Sequence, residues 1–397
     1  MKQLFKKLFC SQNNPSDINQ SVVPKTLYNL SKYDKLMIQK YKSEIQDGTL
    51  TIQQDPDLKS LNFINALKIN QLELYDCQNI VTQLDSLTIK ELKLTDCFIQ
   101  SVNGFQLENL EVLEVYSNYI QLKSKALFLN IAAFKKLKQL ILYNYITDFS
   151  PLQQLIGLNS LCLLSCNLQS TEVLRPLVNL EVLYLDVNEY IDITALQYLT
   201  NLTKLALEKC KLVNIDALKP LVNLEELFLT SNKDIDITTL QYLTNLTYLS
   251  LVSCNLVNVD ALRPLKKLEE LDIFDNKIVF LQPLMELKQL SGLNASNNNA
   301  IDTESIQQHP NFDNFNLDCQ NQPTQEELEV ANMMRDINYQ ISSLKQICKE
   351  SSRIKYQNIF IRQKITQQLQ YSNNTLEQFV ARVALLFQKI YVQDDYQ

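Results

Sequence analysis

Five of the nine cysteines stand where spacing alone suggests chemistry: Cys77 and Cys97, then Cys166, Cys210 and Cys254 at steps of 44 residues. Evenly spaced thiols suit four roles: ligands to a metal, a row of disulfides, nucleophiles, or small apolar groups in a repeating core. The company they keep narrows the choice. A single histidine, His309, leaves no zinc site of the usual histidine type and no ordinary base for a catalytic triad. The four glycines, at 48, 104, 157 and 292, cannot make a phosphate-cradling loop. A net charge of −7 argues against sequence-independent nucleic-acid binding, which needs a basic surface. We therefore expect no enzyme, no cofactor, no metal and no catalytic residue, and ask which elements hold the cysteines.

Those elements are repeats. The template L-x-x-L-x-L-x-x-(N/C) is met by Ile69-Leu72-Leu74-Cys77, Ile89-Leu92-Leu94-Cys97 and Leu110-Leu113-Val115-Asn118, and in altered form by Leu137-Leu140-Leu142-Tyr145. From Leu158 the step is constant at 22 residues, with ninth positions at Cys166, Asn188, Cys210, Asn232, Cys254 and Asn276. Leu290-Leu293-Ala295-Asn298 and Phe312-Phe315-Leu317-Gln320 are weakening copies, and Leu50 with Ile52 fits a degenerate first one. The longer step from Leu110 to Leu137 inserts "KSKALFLNIAAFKK", read as a helix on the convex side. Residues 176–219 and 220–263 agree at 30 of 44 positions, the trace of a duplicated two-repeat unit. Copying alone could thus account for the alternation of cysteine and asparagine there.

Over residues 48–320 this pattern resembles the leucine-rich repeat family, in a 22-residue form similar to the internalins and the phosphatase-1 regulatory subunit. The resemblance implies an α/β leucine-rich repeat solenoid with 12–13 parallel strands on a concave face. One copy cannot bury its own leucines; stacked copies bury a continuous core. Return segments carrying Pro176, Pro220 and Pro264 at matched places form the outer face as turns or short helices. Raw solenoid ends need caps. We read residues 1–24 as a disordered N-terminus, 25–48 as an N-terminal helical cap, 49–322 as the solenoid and 323–397 as a C-terminal helical cap or coiled-coil region. In the first cap Leu36, Met37, Tyr41 and Ile45 lie near one helical face and Gly48 is the stop. In the second, Pro323, Thr324 and Glu327 make a capping box. The seam Met334, Ile337, Ile341, Leu344, Cys348 packs on the last repeat or, alternatively, joins two copies as a homodimer. Thr375 starts a last helix whose apolar face includes Leu376, Phe379, Val383 and Phe387.

The repeat register reads the cysteines. The ninth position points inward, and parallel strands stack about 4.8 Å apart, so Cys210 and Cys254 sit near ~10 Å, beyond the ~7 Å a disulfide allows. Cys77 and Cys97 occupy adjacent copies and can approach; as a pair they read as reduced and buried. Cys162, between Leu161 and Leu163, points the other way and is expected to be an exposed thiol. Cys348 stands as the catalytic cysteine does in effectors joining such repeats to a ubiquitin-ligase domain, but the tail is too short for that domain. Cys10 ends an amphipathic run with Lys2, Lys6 and Lys7, which admits a lipid-modified membrane foot over residues 1–10. An odd cysteine count without a recognisable secretion signal points to a reducing, cytoplasmic setting, where the Asn201 and Asn245 sequons stay unmodified.

The residues with most to say face the concavity: Tyr75, Tyr116, Tyr143, Leu164, Tyr184, Phe228, Tyr248 and Phe274. Acidic Glu73, Asp76, Glu114, Asp186, Glu208, Glu226, Asp272 and Asp275 join them. One reading is strand stabilisation by stacking along columns; the other is a partner-binding site with aromatic hot spots. A recurrent outer-face column, Arg175, Lys219 and Arg263, is assigned to the duplication. We expect a non-enzymatic scaffold binding a partner protein on the concave face. The resemblance adds two alternatives, a protein phosphatase regulatory subunit and an internalin-like surface adhesin or receptor.

Overall fold

Ile215, Leu218, Leu221 and Leu224 recur every third residue, a period that drifts off one face of an α-helix but eclipses along a 3-10 helix. The chain takes the second course. The computed structural model describes residues 31–77, 89–97, 109–116, 134–143, 148–298, 304 and 306–318, all within the compact unit Met1–Gln325. In it, Asp216–Leu218 is a single 3-10 turn. The staircase continues through Leu218 N–H to Ile215 O (2.9 Å), Leu221 N–H to Leu218 O (2.9 Å) and Leu224 N–H to Leu221 O (3.1 Å). Ile215 and these three leucines are all buried. The same staircase recurs at Thr194–Tyr198, Ile237–Tyr242, Asp260–Leu262 and Gln282–Glu286. Pro220 and Pro264 follow directly on the C-caps Lys219 and Arg263, as Pro176 does on Arg175. They stop each short helix, because proline cannot extend the bond pattern.

Each return segment delivers the chain to the next strand. The thirteen strands among the described residues are β1 Thr49–Gln53, β2 Gln71–Tyr75, β3 Glu91–Thr95, β4 Val112–Tyr116, β5 Gln139–Tyr143, β6 Ser160–Leu164 and β7 Val182–Tyr184, then β8 Lys204–Ala206, β9 Glu226–Phe228, β10 Tyr248–Ser250, β11 Glu270–Asp272, β12 Gly292–Asn294 and β13 Phe315–Asn316. They form one parallel sheet in sequence order. Like pairs with like: Leu183↔Leu205 and Leu205↔Leu227, for example. Strand side chains alternate, so one side of the sheet presents leucine columns to the core and the other is the open face.

At the front, α1 (Lys32–Tyr41) begins with a capping box, Asp34 N–H donating to Ser31 Oγ (3.0 Å) and Ser31 N–H to Asp34 Oδ2 (3.1 Å). Met37 and Tyr41, four residues apart, are buried; the Tyr41 ring stacks on Phe63 with centroids 5.8 Å apart. Asp55 accepts from the Tyr41 hydroxyl and pairs with Lys40 Nζ at 2.8 Å, pinning the helix to the first repeat. Two sequence readings are corrected here. Leu36 is 59% exposed, because it lies about 100° round the helix from Met37. Gly48 does not stop the helix, which ends at Tyr41. Gly48 (φ +78°) and Asp47 (φ +50°) instead make a tight turn closed by Thr49 N–H to Gln46 O (2.8 Å).

The readings for residues 1–24, Cys10, Asn118, the helix inserted after β4, Tyr145, Gln320, the Thr324 capping box, the 334–348 seam with Cys348, and the Thr375 helix lie outside the described residues. Among the described residues no helix is long and apolar enough to cross a membrane.

Candidate protein-binding face

The inward turns after the strands come first, because they fix how the open face is presented. Asn188 Nδ2 donates to Leu163 O (2.8 Å) and Leu185 O (2.7 Å), and its Oδ1 accepts from Cys166 N–H (3.1 Å) and Leu168 N–H (2.9 Å). Asn276 repeats all four bonds around Leu251, Ile273, Cys254 and Leu256. The cysteines supply only the donor half of this. Cys210 Sγ donates to Leu185 O and Glu208 O, both at 3.4 Å, and Cys254 Sγ to Leu229 O (3.3 Å) and Val252 O (3.4 Å). Burial pushes the Cys210 thiol up to about 12 and Cys254 to about 11, so neither is a nucleophile at neutral pH. Among the described residues no three His, Cys, Asp or Glu side chains gather as metal ligands would. His309 is structural: Nε2 meets Leu287 O at 3.0 Å and Nδ1 accepts from Asn311 N–H at 3.2 Å.

On the open face, strand register sorts the sequence-derived aromatics into three adjacent columns. Tyr116, Tyr143 and Leu164 are cross-strand partners in one. Tyr184 and Phe228 belong to the next, with Ala206 between them and Cys162 on the far side of Tyr184. Tyr248 lies in the third, opposite Glu226. The aromatic stripe is therefore diagonal across β4–β10. Its inner part is a second small hydrophobic cluster, separate from the main core: Ile141, Cys162, Leu164, Tyr184 and Ala206 are buried, with Tyr116, Tyr143, Val182 and Phe228 packed against them. This corrects the reading of Cys162 as an exposed thiol: it is 1% exposed, and burial holds its pKa well above the ordinary value. It also shows Leu164 and Tyr184 to be buried rather than displayed. The margins of the stripe are more open. Tyr143 and Tyr248 are half-buried, Phe228 and Tyr248 lie 4.9 Å apart, and Phe274 is 37% exposed. Tyr75, on β2, stands apart from the cluster, its hydroxyl 3.1 Å from Glu73 Oε2.

Carboxylates surround the stripe. Glu73, Glu91, Glu114, Asp186, Glu208, Glu226, Glu270 and Asp272 all lie on open-face columns, against Lys93 and Lys204. Both lysines are committed, Lys93 to Glu114 (3.4 Å) and Lys204 to Glu226, and both lie over rings, of Tyr116 and Phe228 respectively. Asp76 and Asp275, at the strand ends, adopt left-handed backbone (φ +50° and +57°).

Asp186 is the most perturbed of the carboxylates. Burial raises its pKa to about 7, opposed by the hydrogen bond it accepts from Glu208 N–H at 2.8 Å. A folded-state pKa above the unfolded value means the native state holds the extra proton. Stability from this group is present below pH ~4 and declines as pH rises towards 7. Asp186→Asn keeps the acceptor and removes the charge. It is expected to raise unfolding free energy at pH 8, on the order of 2 kcal/mol, with little change at pH 4. Urea melts at the two pH values measure this; an equal effect at both would refute it.

The outer face holds features of another kind. Arg175 lies 4.1 Å over the Tyr198 ring and pairs with Glu172; Lys219 lies over Tyr242 and pairs with Asp216; Arg263 pairs with Asp260 and Glu286. The basic column is thus neutralised, and it staples each return segment to the next. A ladder not foreseen from sequence runs along the turn before each strand: Asn179, Asn201, Asn223 and Asn245 each donate Nδ2 to a carbonyl of the preceding repeat, at 2.8–2.9 Å. Its 22-residue spacing one place before a leucine was the available signal. The amides of the Asn201 and Asn245 sequons are committed to it.

Comparison with solved structures agrees with this architecture. An internalin (inlF) of Listeria monocytogenes is 25% identical, matched over 70% of this chain and 82% of its own, with a TM-score of 0.58. The chain has the leucine-rich repeat fold. TLR13, in its complex with ssRNA13, shares the repeat fold at 21% identity and TM-score 0.53, over 69% of this chain and 44% of its own. A leucine-rich repeat protein of Leptospira interrogans aligns at 21% identity, over 71% and 81%, with a TM-score of 0.49. No family model matches the sequence, and no curated protein matches it. As in other leucine-rich repeat solenoids, the fold supplies a long display surface, and function rests on what that surface carries.

Proposed function

We propose that the chain is a non-enzymatic scaffold that binds a partner protein on the concave, open face of its sheet, in a reducing cellular compartment. The observation that carries this is the diagonal aromatic stripe across β4–β10, bordered by carboxylates. Large rings beside carboxylates suit a partner with basic and apolar side chains, and repel the phosphates of RNA. The test is affinity capture with a Tyr143/Tyr248/Phe274 triple alanine, residues half-buried or exposed, beside a Tyr190/Tyr198/Tyr242 triple alanine on the exposed outer side. The first is expected to lose the specific partner and the second to keep it. Identical catches from both would sink the concave-face reading. The likeness to an internalin favours one second reading, a surface adhesin or receptor, for which surface labelling of intact cells discriminates. The phosphatase-subunit alternative gains no residue-level support from the structure.

A further inference from the structure

We infer that Cys77 and Cys97 are a redox modification site, closing reversibly into a disulfide that staples the outgoing turn of β2 to that of β3. Register places them together. Leu74 pairs with Leu94 and Tyr75 with Thr95, and Asp76 N–H donating to Thr95 O (2.8 Å) carries the ladder one residue further. Cys77 and Cys97 therefore stand at equal positions on neighbouring parallel strands. That spacing, about 4.8 Å, lies within the ~4.4–6.8 Å Cα window of disulfides. Their side chains turn towards one space: Cys97 Sγ donates to Leu74 O (3.3 Å) and Cys77 Sγ to Tyr75 O (3.4 Å), consecutive carbonyls of β2. Elsewhere in the ladder Asn188 stands between Cys166 and Cys210, and Asn232 between Cys210 and Cys254.

Reactivity and access agree with the geometry. The neighbouring Cys97 thiol holds the Cys77 thiol below the usual range against the cost of burial, and Cys77, together with burial, pushes Cys97 far up. Of the two, Cys77 is the readier thiolate, the form that exchange requires. Cys77 is fully buried and Cys97 is half-buried, so an oxidant meets Cys97 first. With a low-molecular-weight disulfide as oxidant, the Cys97 thiol passes its proton to the Cys77 thiolate, attacks one sulfur of that disulfide and expels one thiolate, which takes up that proton, leaving a mixed disulfide. Cys77 thiolate then attacks Sγ of Cys97 and expels the second. Two protein thiols and one small disulfide become one protein disulfide and two small thiols. The electron pair passes to the small disulfide, and the two thiol protons pass to the expelled thiolates.

The full chain is equilibrated in native buffer across a series of oxidised-to-reduced glutathione ratios, quenched with acid, alkylated and digested with trypsin. Lys90 and Lys93 lie between the two cysteines, so the bond reads out as a linked peptide pair that reduction separates. The expected result is conversion to the Cys77–Cys97 pair, with Cys166, Cys210 and Cys254 still alkylatable after denaturation. Cys97→Ser abolishes the linked pair and leaves Cys77 alkylatable. Both thiols remaining reduced at the most oxidising ratio, or Cys77 linked instead to another cysteine, overturns the inference. The wild-type measurement decides even where the serine variant fails to fold.

Discussion

Asn188→Ala is expected to lower the unfolding free energy by about 4 kcal/mol, several times the cost of Cys210→Ala in the next repeat. The difference follows from what each side chain satisfies. Asn188 is fully buried and holds two N–H groups and two carbonyls belonging to two repeats. Alanine takes that partner from Cys166 N–H, Leu168 N–H and Leu163 O in a space closed to water, while Leu185 O keeps only the weak bond from the Cys210 thiol. A buried polar group so stranded costs about 1–3 kcal/mol, and partial relaxation keeps the total near the lower part of the sum. Cys210 donates one weak S–H bond, shared between two carbonyls, and fills a small apolar volume. Its truncation costs about 1 kcal/mol. Urea denaturation of both variants gives the comparison. Amide exchange at Cys166 and Leu168, which lose their acceptor in Asn188→Ala only, locates the effect. Equal losses, or no faster exchange at those two amides, would contradict this division of labour.

That division was only half legible in the sequence. The template placed Cys166, Asn188, Cys210 and Asn232 inward, and the structure buries them all. Duplication looked sufficient to explain their alternation. The bonds show a further reason: each asparagine serves the turn of the cysteine repeat before it, through Cys166 N–H and Leu168 N–H at one step, Leu212 N–H at the next, and Cys254 N–H and Leu256 N–H at the third. A residue's direction is local and follows from strand alternation. Its bond partners come from the neighbouring repeat and need the stack. The same distinction explains Cys162 and Tyr184. Alternation correctly turned both away from the main core, but exposure depends on what adjacent columns carry. Ile141, Tyr143, Leu164 and Phe228 stand close enough in register to bury them in a second cluster. Leu36 fails for the converse reason: apolar type alone put it with Met37, whereas helical angle separates them. The three-residue period of Ile215, Leu218 and Leu221 was visible throughout; it specifies a 3-10 return segment and not simply a turn.

Leu205→Asp carries the second large effect, and it concerns cooperativity more than total stability. Leu205 is fully buried on β8, with Leu183 and Leu227 as its partners on β7 and β9. Substitution loses about 2–3 kcal/mol of apolar burial. It also places a carboxylate between two buried leucines, at a further cost of several kcal/mol unless that carboxylate takes up a proton. In a globular core such a sum, set against a total of about 5–15 kcal/mol, would unfold the whole domain. A solenoid responds differently, because each repeat contacts only its neighbours and stability is a sum of nearest-neighbour terms. The β7–β8 and β8–β9 interfaces should fail while the stacks on either side persist. The expected outcome is one urea transition in the wild type and two in the variant. Amide exchange should rise first at residues 202–212 and spread outward from there. Val213→Asp, at a side chain 59% exposed on the outer surface, serves as the control and should leave a single transition. One sharp transition retained by Leu205→Asp would mean that Leu205 does not face the shared core, and with it the register that places every open-face residue would be wrong.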